Sequence, residues 1–275
     1  WDNYLPGYSA MKEKERVVFF LRDGLSAAEK ERMTAYGADM SKYLDSGNEA
    51  RIKKAYESRD PRLQMAIITP YAQYNGASSG IAHTYTLRWP YRGSDSAEPF
   101  DIRTDTNDKF YYLWRKFVPE GLEQTERDTY GLDIPLIRYA EVLLLKAEAL
   151  NEWGSTHESE AIRCVNEVRR RAGHVELNNA TYPATKVNGQ SDLRERIRNE
   201  YYWEIGGEDS MYFHELRWGT WKDKKFDNNR NGLMQMWGET TYTWYWLGDQ
   251  CWSWPIPAKE MEMNSNLEQN EGWIN

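Results

Sequence analysis

Apolar residues recur at helical spacing through most of residues 133–218. From Leu136 to Leu150 they fall three and four positions apart, which predicts an α-helix that ends at Gly154. The other side of this helix also carries apolar residues, so we expect it to be packed between neighbours on both sides. A second apolar face over residues 161–172 predicts the next helix and completes a helical hairpin.

This hairpin resembles a tetratricopeptide unit, with alanines where the two helices would cross closely. A clean repeat of about 34 residues is not present, and one hairpin does not establish a repeat. Apolar residues at four-residue steps then predict a third helix from near Ser191 to the break at Gly206-Gly207. A short aromatic helix over residues 211–218 follows, and it completes the predicted helical scaffold.

Polar residues at helix starts mark where several helices should begin. Ser26 with Glu29, and Ser155 with Glu158, have the spacing of a capping box. In that motif the serine hydroxyl and the glutamate carboxylate satisfy free amides of the first helical turn. Asn48 is expected to cap a further helix in the same part of the chain as Ser26.

The tetrapeptide Arg-Asp-Pro-Arg at residues 59–62 ends the helix that Asn48 begins, because the residue before a proline avoids the helical region. We interpret it as a turn held by ion pairs rather than as a ligand site. Ile67 and Ile68, which follow, have β-branched side chains that favour a strand.

Residues 70–132 have no long helical period. They are rich in Gly, Ser, Thr, Asn and Asp, with tyrosines and tryptophans interleaved. Long irregular segments in compact proteins are usually functional, since scaffold connections are short. We therefore expect this stretch to form the ligand-side loops.

Residues 219–275 carry the densest aromatic cluster. Residues 241–247 and 250–254, separated by Gly-Asp, have the turn chemistry of a β-hairpin. Alternation within it predicts one buried face that includes tryptophans, namely Trp244, Trp246, Trp252 and Trp254. Pro255-Ile-Pro257 closes the hairpin, and a last short helix or turn begins at Glu260.

Composition narrows the functional classes. The chain has 275 residues, a formal net charge of −8 and 14% aromatic residues, and its mean hydropathy is −0.86. An acidic chain disfavours a nucleic-acid partner, because phosphates are repelled. No apolar stretch approaches the roughly 20 residues of a membrane-spanning helix, and the start at Trp1 suggests a chain cut from a longer precursor.

The residues that usually hold metals or attack substrates form no recognisable constellation. Two cysteines, Cys164 and Cys251, and four scattered histidines make neither a zinc site nor a disulfide scaffold, and we expect both thiols to be buried small side chains. Residues 227–232 match the start of a calcium loop, but Gly238 stands where the bidentate glutamate belongs, so a polar turn is favoured. We expect no metal, no cofactor and no catalytic residue.

Six stretches, in order along the chain, resemble motifs of the SusD/RagB family, the surface lipoproteins of Bacteroidetes nutrient-uptake systems. They are Arg59–Leu63, Ile137–Glu152, Val165–Gly173, His214–Gly219, Pro255–Glu260 and Asn264–Trp273. The resemblance implies a mainly α fold with tetratricopeptide-like helical hairpins, long irregular loops and a small β-hairpin. It covers nearly the whole chain but about the second half of a typical member.

The resemblance also implies how the chain is organised. We interpret residues 1–275 as one SusD-like C-terminal domain, with 70–132 facing the ligand, 133–218 forming the scaffold and 219–275 the aromatic hairpin and closing motif. Two departures from the family pattern, Glu200-Tyr201 and Gly-Gly-Glu-Asp at residues 206–209, put in doubt the ion pairing normally made there, though not the fold.

A sugar offers an apolar C–H face and a rim of hydroxyls, so its site needs exposed rings with polar side chains beside them. In the loop-rich segment, Tyr74, Trp89 and Tyr91 are the candidate stacking platforms. Asn75 and Arg92 are the candidate hydrogen-bonding partners of the rim. The other interpretation of the same rings is that they pin the loop to the body of the protein.

By resemblance, the protein binds glycans or oligosaccharides without catalysis and covers a SusC-like TonB-dependent transporter. The family's place is the cell-surface side of the outer membrane, with a lipid anchor that would lie in a missing N-terminal segment. Two alternatives stay open. One is a peptide- or glycopeptide-binding lid of the same transporter type, and the other is a glycoside hydrolase, since some pair among 43 acidic residues could lie at glycosidase spacing.

Overall fold

The computed structural model describes residues 21–35, 38–57, 59–78, 81–88, 100–101, 113–121, 133–208, 210–225 and 246–273. These residues belong to two compact units, one of described residues up to Met211 and one of described residues from Tyr212 onward. The fold is mainly helical, as the sequence predicts. Its helices are α1 (Ala27–Ala35), α2 (Asn48–Glu57), α3 (Pro61–Ala66), α4 (Tyr139–Trp153), α5 (Glu158–Arg171), α6 (Gln190–Glu204), α7 (Ser210–Arg217), α8 (Trp221–Lys225) and α9 (Ala258–Met263).

Helices α4, α5 and α6 form the scaffold of the first unit. α4 packs against both α5 and α6. Ala147 on α4 and Ala161 on α5 are fully buried, as are Leu144 and Leu193. Small buried side chains let packed helices approach closely. The three helices predicted for residues 133–205 are thus confirmed, with ends within a few residues of the predicted ones.

The expectation that α4 is packed on both sides is wrong for this structure. Val142 and Leu145, on the side away from the buried leucines, are exposed. The segment just before α4 is exposed as well, at Ile134, Leu136 and Ile137. Apolar residues all round a helix therefore do not correspond here to neighbours all round it.

The helix starts agree only in part with the predicted caps. The Ser26–Glu29 capping box is made, since the Ser26 amide donates to Glu29 Oε2 at 2.8 Å and the Glu29 amide donates to Ser26 Oγ at 3.3 Å. The second box is absent: Ser155–His157 is a 3₁₀ turn, and no side-chain hydrogen bond caps α5. His157, which precedes α5, takes the cap position without supplying a side-chain acceptor.

The start of α2 is capped from a distance. The Asp23 carboxylate accepts hydrogen bonds from the Gly47 and Glu49 amides at 2.9 and 3.0 Å. The side-chain amide of Asn48, the predicted cap, instead donates to the Leu21 carbonyl. A carboxylate at a helix start is favoured by the free amides and the dipole there, so Asp23 fits this role.

Part of the segment predicted to be irregular is a β-hairpin. Strands β2 (Gln73–Ser78) and β3 (Ile81–Thr86) pair antiparallel, and β4 (Phe100–Asp101) adds in parallel to β3. A second, two-stranded sheet joins β1 (Ile67–Ile68) to β5 (Leu113–Trp114), which confirms the strand expected at the two isoleucines.

One face of the β2–β3 hairpin is built around a glycine. Gly76 is buried opposite His83, and a Cβ atom at Gly76 would lie 2.7 Å from Cε2 of Tyr85. That distance is shorter than carbon atoms tolerate, so the absence of a side chain at Gly76 lets the Tyr85 ring lie across the strand.

The second unit contains α7 from Tyr212 onward, α8, α9 and the closing motif. Residues 249–252 form a 3₁₀ turn rather than the second strand of the predicted hairpin. Residues 241–245 of the predicted first strand, which include Trp244, lie outside the described residues. Trp246 and Trp252 contact each other at 5.0 Å between ring centroids. Trp254 is exposed, so the predicted single buried face is wrong there.

Side-chain hydrogen bonds fasten the closing motif. The Gln269 side-chain amide donates to the Ile256 carbonyl at 2.9 Å and its oxygen accepts from the Ile256 amide at 2.8 Å. The Trp273 indole donates to the Ser253 carbonyl at 2.7 Å. Of the two cysteines, Cys164 is buried as expected, but Cys251 is only half-buried, because its 3₁₀ turn lies at the surface of a small unit.

Replacing Gly76 with alanine should destabilise the first unit by about 1–3 kcal/mol, because the new methyl group displaces the Tyr85 ring. Urea denaturation followed by fluorescence measures this free energy of unfolding. Gln73→Ala, at an exposed position of the same strand, is the control and should change it by less than about 0.5 kcal/mol. Equal effects of the two substitutions would contradict the close contact.

Candidate functional site

Two of the five predicted binding residues lie in the described part of the chain. These are Tyr74 and Asn75, neighbours on strand β2. Trp89, Tyr91 and Arg92 lie outside the described residues, so their part in a site stays a prediction.

Tyr74 does not fit the role of an exposed stacking platform. Its side chain is only 8% exposed and belongs to the core of the first unit. Its hydroxyl donates a hydrogen bond to the Pro119 carbonyl at 2.8 Å, and burial raises the pKa of that hydroxyl. Successive residues of a strand point to opposite faces, so Tyr74 and Asn75 cannot line one site from the same side.

Asn75 lies on the exposed face of the hairpin. It stands opposite Thr84, whose hydroxyl donates to Asn75 Oδ1 at 3.2 Å, and both side chains are exposed. Gln73 is exposed on the same face. The result is a small polar surface of amides and a hydroxyl, groups that can both donate hydrogen bonds to sugar hydroxyls and accept them.

The other described rings of this segment mainly support the second interpretation, in which aromatics pin the loops to the body. Tyr71 is buried, and its amide donates a hydrogen bond to the Leu87 carbonyl at 2.9 Å. Its φ angle is +61°. Tyr85 is half-buried against the same core. Trp114, on the short strand β5, is 49% exposed, but its ring also lies against Gly207, where an added Cβ would be 2.7 Å from Cζ3.

A buried network of charges, which the sequence did not predict as a cluster, joins distant parts of the first unit. Its centre is Arg62, which makes ion pairs with Asp60 and Glu200 at 2.7 Å and with Glu204 at 3.2 Å. Glu200 is fully buried and also accepts from Arg169 Nε at 2.7 Å. The tetrapeptide at residues 59–62 is therefore an ion-paired turn, as expected, and it also begins α3, with Asp60 as the cap.

The network continues through residues 206–209, the segment whose family ion pairing the sequence puts in doubt, and Glu208 makes ion pairs there. Arg138 donates to Glu204 Oε1 at 3.0 Å and to Glu208 Oε1 at 2.7 Å. Glu208 also pairs with Lys116, and Glu204 with Arg171. The glycines at 206 and 207 change the sequence around Glu208 without removing its carboxylate from the network.

Electrostatics in the network follow from these contacts. Burial would raise the pKa of Asp60, but hydrogen bonds and the charge of Arg62 outweigh it, so the pKa is below its ordinary value. Burial opposes ionisation of Glu208 in the same way, and Arg138 and Lys116 lower its pKa. Burial lowers the pKa of His174, whose Nε2 is 3.5 Å from Asp60.

A cleft of about 290 Å³ opens beside the network. It is lined by apolar side chains and by basic residues, namely Met65, Ala66, Phe117, Trp203, Arg62, Lys116, Arg138 and Arg171, together with Glu204. Apolar and aromatic side chains together with a few charged groups are the usual lining of a ligand pocket.

Metal chemistry and membrane insertion find no support in the described segments. No group of three or more His, Cys, Asp or Glu side chains there is placed to hold a metal ion. None of the helices that the structure describes combines the length and apolar character needed to cross a bilayer.

Breaking the network at its centre should cost far more than breaking a surface pair. Arg62→Met leaves buried carboxylates without their shared cation and should lower the free energy of unfolding by about 3–5 kcal/mol. Arg194→Met removes a surface pair with Glu152 of 2.6 Å and should cost less than about 1 kcal/mol. Urea denaturation of both variants measures the difference, and similar losses would refute a dominant role for the buried network.

His174 should make stability fall in mild acid. The unfolded chain binds a proton at this residue near pH 6.5, whereas burial keeps the folded side chain neutral to lower pH. The contribution of neutral His174 to the free energy of unfolding is thus present above about pH 6.5 and is lost as pH falls from there toward the pKa of the folded state. The free energy of unfolding of His174→Gln, measured between pH 7 and 5, should decline less steeply than that of the parent chain; parallel curves would contradict this.

Comparison with known proteins places this architecture in one family. The SusD family profile matches residues 19–273. Starch-binding protein SusD of Bacteroides thetaiotaomicron is 28% identical over 161 residues, which are 58% of this chain and 25% of that protein. SusD-like protein P38 of Formosa agariphila is 32% identical over 139 residues, 50% of this chain and 24% of that protein.

A solved structure shares this fold. The crystal structure of a SusD-like protein from Bacteroides fragilis superposes with a TM-score of 0.57 at 22% identity, covering 94% of this chain and 46% of that one. The chain thus spans about half the length of this solved relative. Because the SusD family profile matches residues 19–273, nearly the whole chain, the chain belongs to the SusD family.

Proposed function

We propose that this chain is part of a non-enzymatic protein that binds glycans or oligosaccharides at the cell surface. The observation that carries the proposal is the family match over residues 19–273, together with a relative named as a starch-binding protein. The bound sugar is held by ring stacking and side-chain hydrogen bonds, and no covalent bond is made or broken.

The exposed face of the β2–β3 hairpin supports this proposal. Asn75 and Thr84 are already hydrogen-bonded to each other at the surface, so each side chain is held in position before a ligand arrives. Trp89, Tyr91 and Arg92 follow shortly after β3 in the sequence and supply the stacking rings and a further donor. Tyr74 holds the hairpin to the core instead of contacting the sugar.

The wider role that we propose is delivery. Members of this family are cell-surface lipoproteins, and the protein to which this chain belongs is proposed to be lipid-anchored on the outer membrane. There it would cover a SusC-like TonB-dependent transporter and pass the captured oligosaccharide to it. Capture without hydrolysis suits this role, because the transporter then receives the ligand intact.

The binding proposal is tested by titrating the chain with neutral and charged oligosaccharides while following tryptophan fluorescence. Asn75→Ala should weaken binding about fivefold, as expected for the loss of one neutral hydrogen bond of about 1 kcal/mol. Asn266→Ala removes an exposed asparagine from the second unit and should leave affinity unchanged.

Separate arms of the titration distinguish this role from the alternatives. A clear response to peptides with none to any glycan would overturn the proposal. So would the release of shorter sugars, detected by chromatography after prolonged incubation, because a binding protein leaves its ligand uncut.

A further inference from the structure

The cleft beside the charge network is a second place where the first unit can receive a ligand. Its lining includes the apolar side chains of Met65, Phe117 and Trp203, of which Met65 is exposed. Four basic residues, Arg62, Lys116, Arg138 and Arg171, line it as well. No residue of the polar hairpin surface at Asn75 lines it, so the two places are different.

Both rings of the cleft are held in fixed positions. Trp203 stacks on His174 with ring centroids 5.7 Å apart and planes inclined by 28°. Phe117 lies in a turn closed by the Val118 amide, which donates to the Arg115 carbonyl at 3.1 Å, and its φ is +62°. A non-glycine residue in this left-handed region costs free energy, and such strain is typically found where a side chain must point in a particular direction.

The ion pairs around the cleft leave positive charge in excess. Among the described residues the network contains five cations, Arg62, Lys116, Arg138, Arg169 and Arg171, and four carboxylates, Asp60, Glu200, Glu204 and Glu208. The lowered pKa values of Asp60 and Glu208 keep those two carboxylates ionised at neutral pH. His174 is neutral there, since burial lowers its pKa.

Arg171 is the cation that carries this excess to the surface. Its side chain is 60% exposed, and its ion pair is with Glu204. Glu204 is already paired with Arg62 and Arg138, so its charge is shared among three guanidinium groups. Arg171 therefore presents donors to the cleft that one shared carboxylate does not neutralise.

We propose that the cleft binds one anionic sugar residue, with the apolar face of the sugar against Trp203 and Phe117 and its carboxylate or sulfate group against Arg171. A uronate and a sulfated hexose share this chemistry, a flat C–H face joined to an oxyanion. The inference rests on the proposed function, because it names the class of glycan that the protein takes. It places that residue at a site separate from the hairpin surface.

The C-terminal end of α5 supplies a matched pair of variants. Arg170 and Arg171 are adjacent, 65% and 60% exposed, and each pairs with one carboxylate, Glu176 or Glu204. Arg171 lines the cleft and Arg170 does not. Both lie in the last helical turn, so replacing either by glutamine removes the same favourable charge from the helix end.

The experiment titrates the chain by calorimetry with tetragalacturonate, a sulfated galactose oligosaccharide and uncharged maltotetraose. The charged sugars should bind the parent chain more tightly than maltotetraose, and this advantage should shrink between about 20 and about 300 mM NaCl. Arg171→Gln should weaken binding of the charged sugars about tenfold. Arg170→Gln should change it less than about twofold.

Phe117→Gly tests the ring independently of charge. Glycine accepts the positive φ, so thermal unfolding should show that the variant stays folded while its affinity for the charged sugars falls several-fold. Preserved affinity in Phe117→Gly, or equal effects of the two arginine variants, would overturn the cleft as the site. If the charged sugars bind the parent chain no more tightly than maltotetraose does, the cleft is overturned and the proposed function stands, whereas the absence of binding to every sugar overturns the proposed function itself.

Discussion

The fold of the first unit depends on where the charge of Arg62 can be neutralised. This guanidinium is buried, and it is tolerated only because Asp60, Glu200 and Glu204 surround it. The partners Arg62 and Glu200 are 138 residues apart in the sequence, so the interaction requires α3 and α6 to lie side by side. A buried charge that loses its partners is far more costly than a lost surface pair, and this fixes how the N-terminal helices meet the helical scaffold.

The helical scaffold could be predicted from the sequence because the patterns that indicate a helix are local. A helical period needs only the residues of one helix, and α4, α5 and α6 were predicted within a few residues of their ends. The capping box at Ser26 is local too. The cap of α2 could not be predicted because Asp23 lies 26 residues before Glu49, whose amide donates a hydrogen bond to its carboxylate. The charge network could not be predicted for the same reason, since its ion pairs join residues that are close in space but distant in sequence.

The candidate site was predictable only in part. Strand β2 contains glycine and polar residues and resembled a loop, so the alternation that puts Tyr74 inside and Asn75 outside could not be used. Once the strand is known, the two residues separate into a structural ring and a surface amide. The cleft had no sequence signature, because its lining combines α3, the turn at Phe117, Arg138 before α4, and the ends of α5 and α6.

The convergence of three arginines on Glu204 also limits how this protein can change. Arg62, Arg138 and Arg171 come from different segments, so the effect of substituting one depends on whether the others are present. Substitutions at these positions are therefore expected to depend on one another. A sequence that loses Glu204 leaves three arginines without this carboxylate and has to change at several of those positions together. A chimera that imports α6 from a relative must bring the matching arginines with it, and helix boundaries are the wrong places to cut.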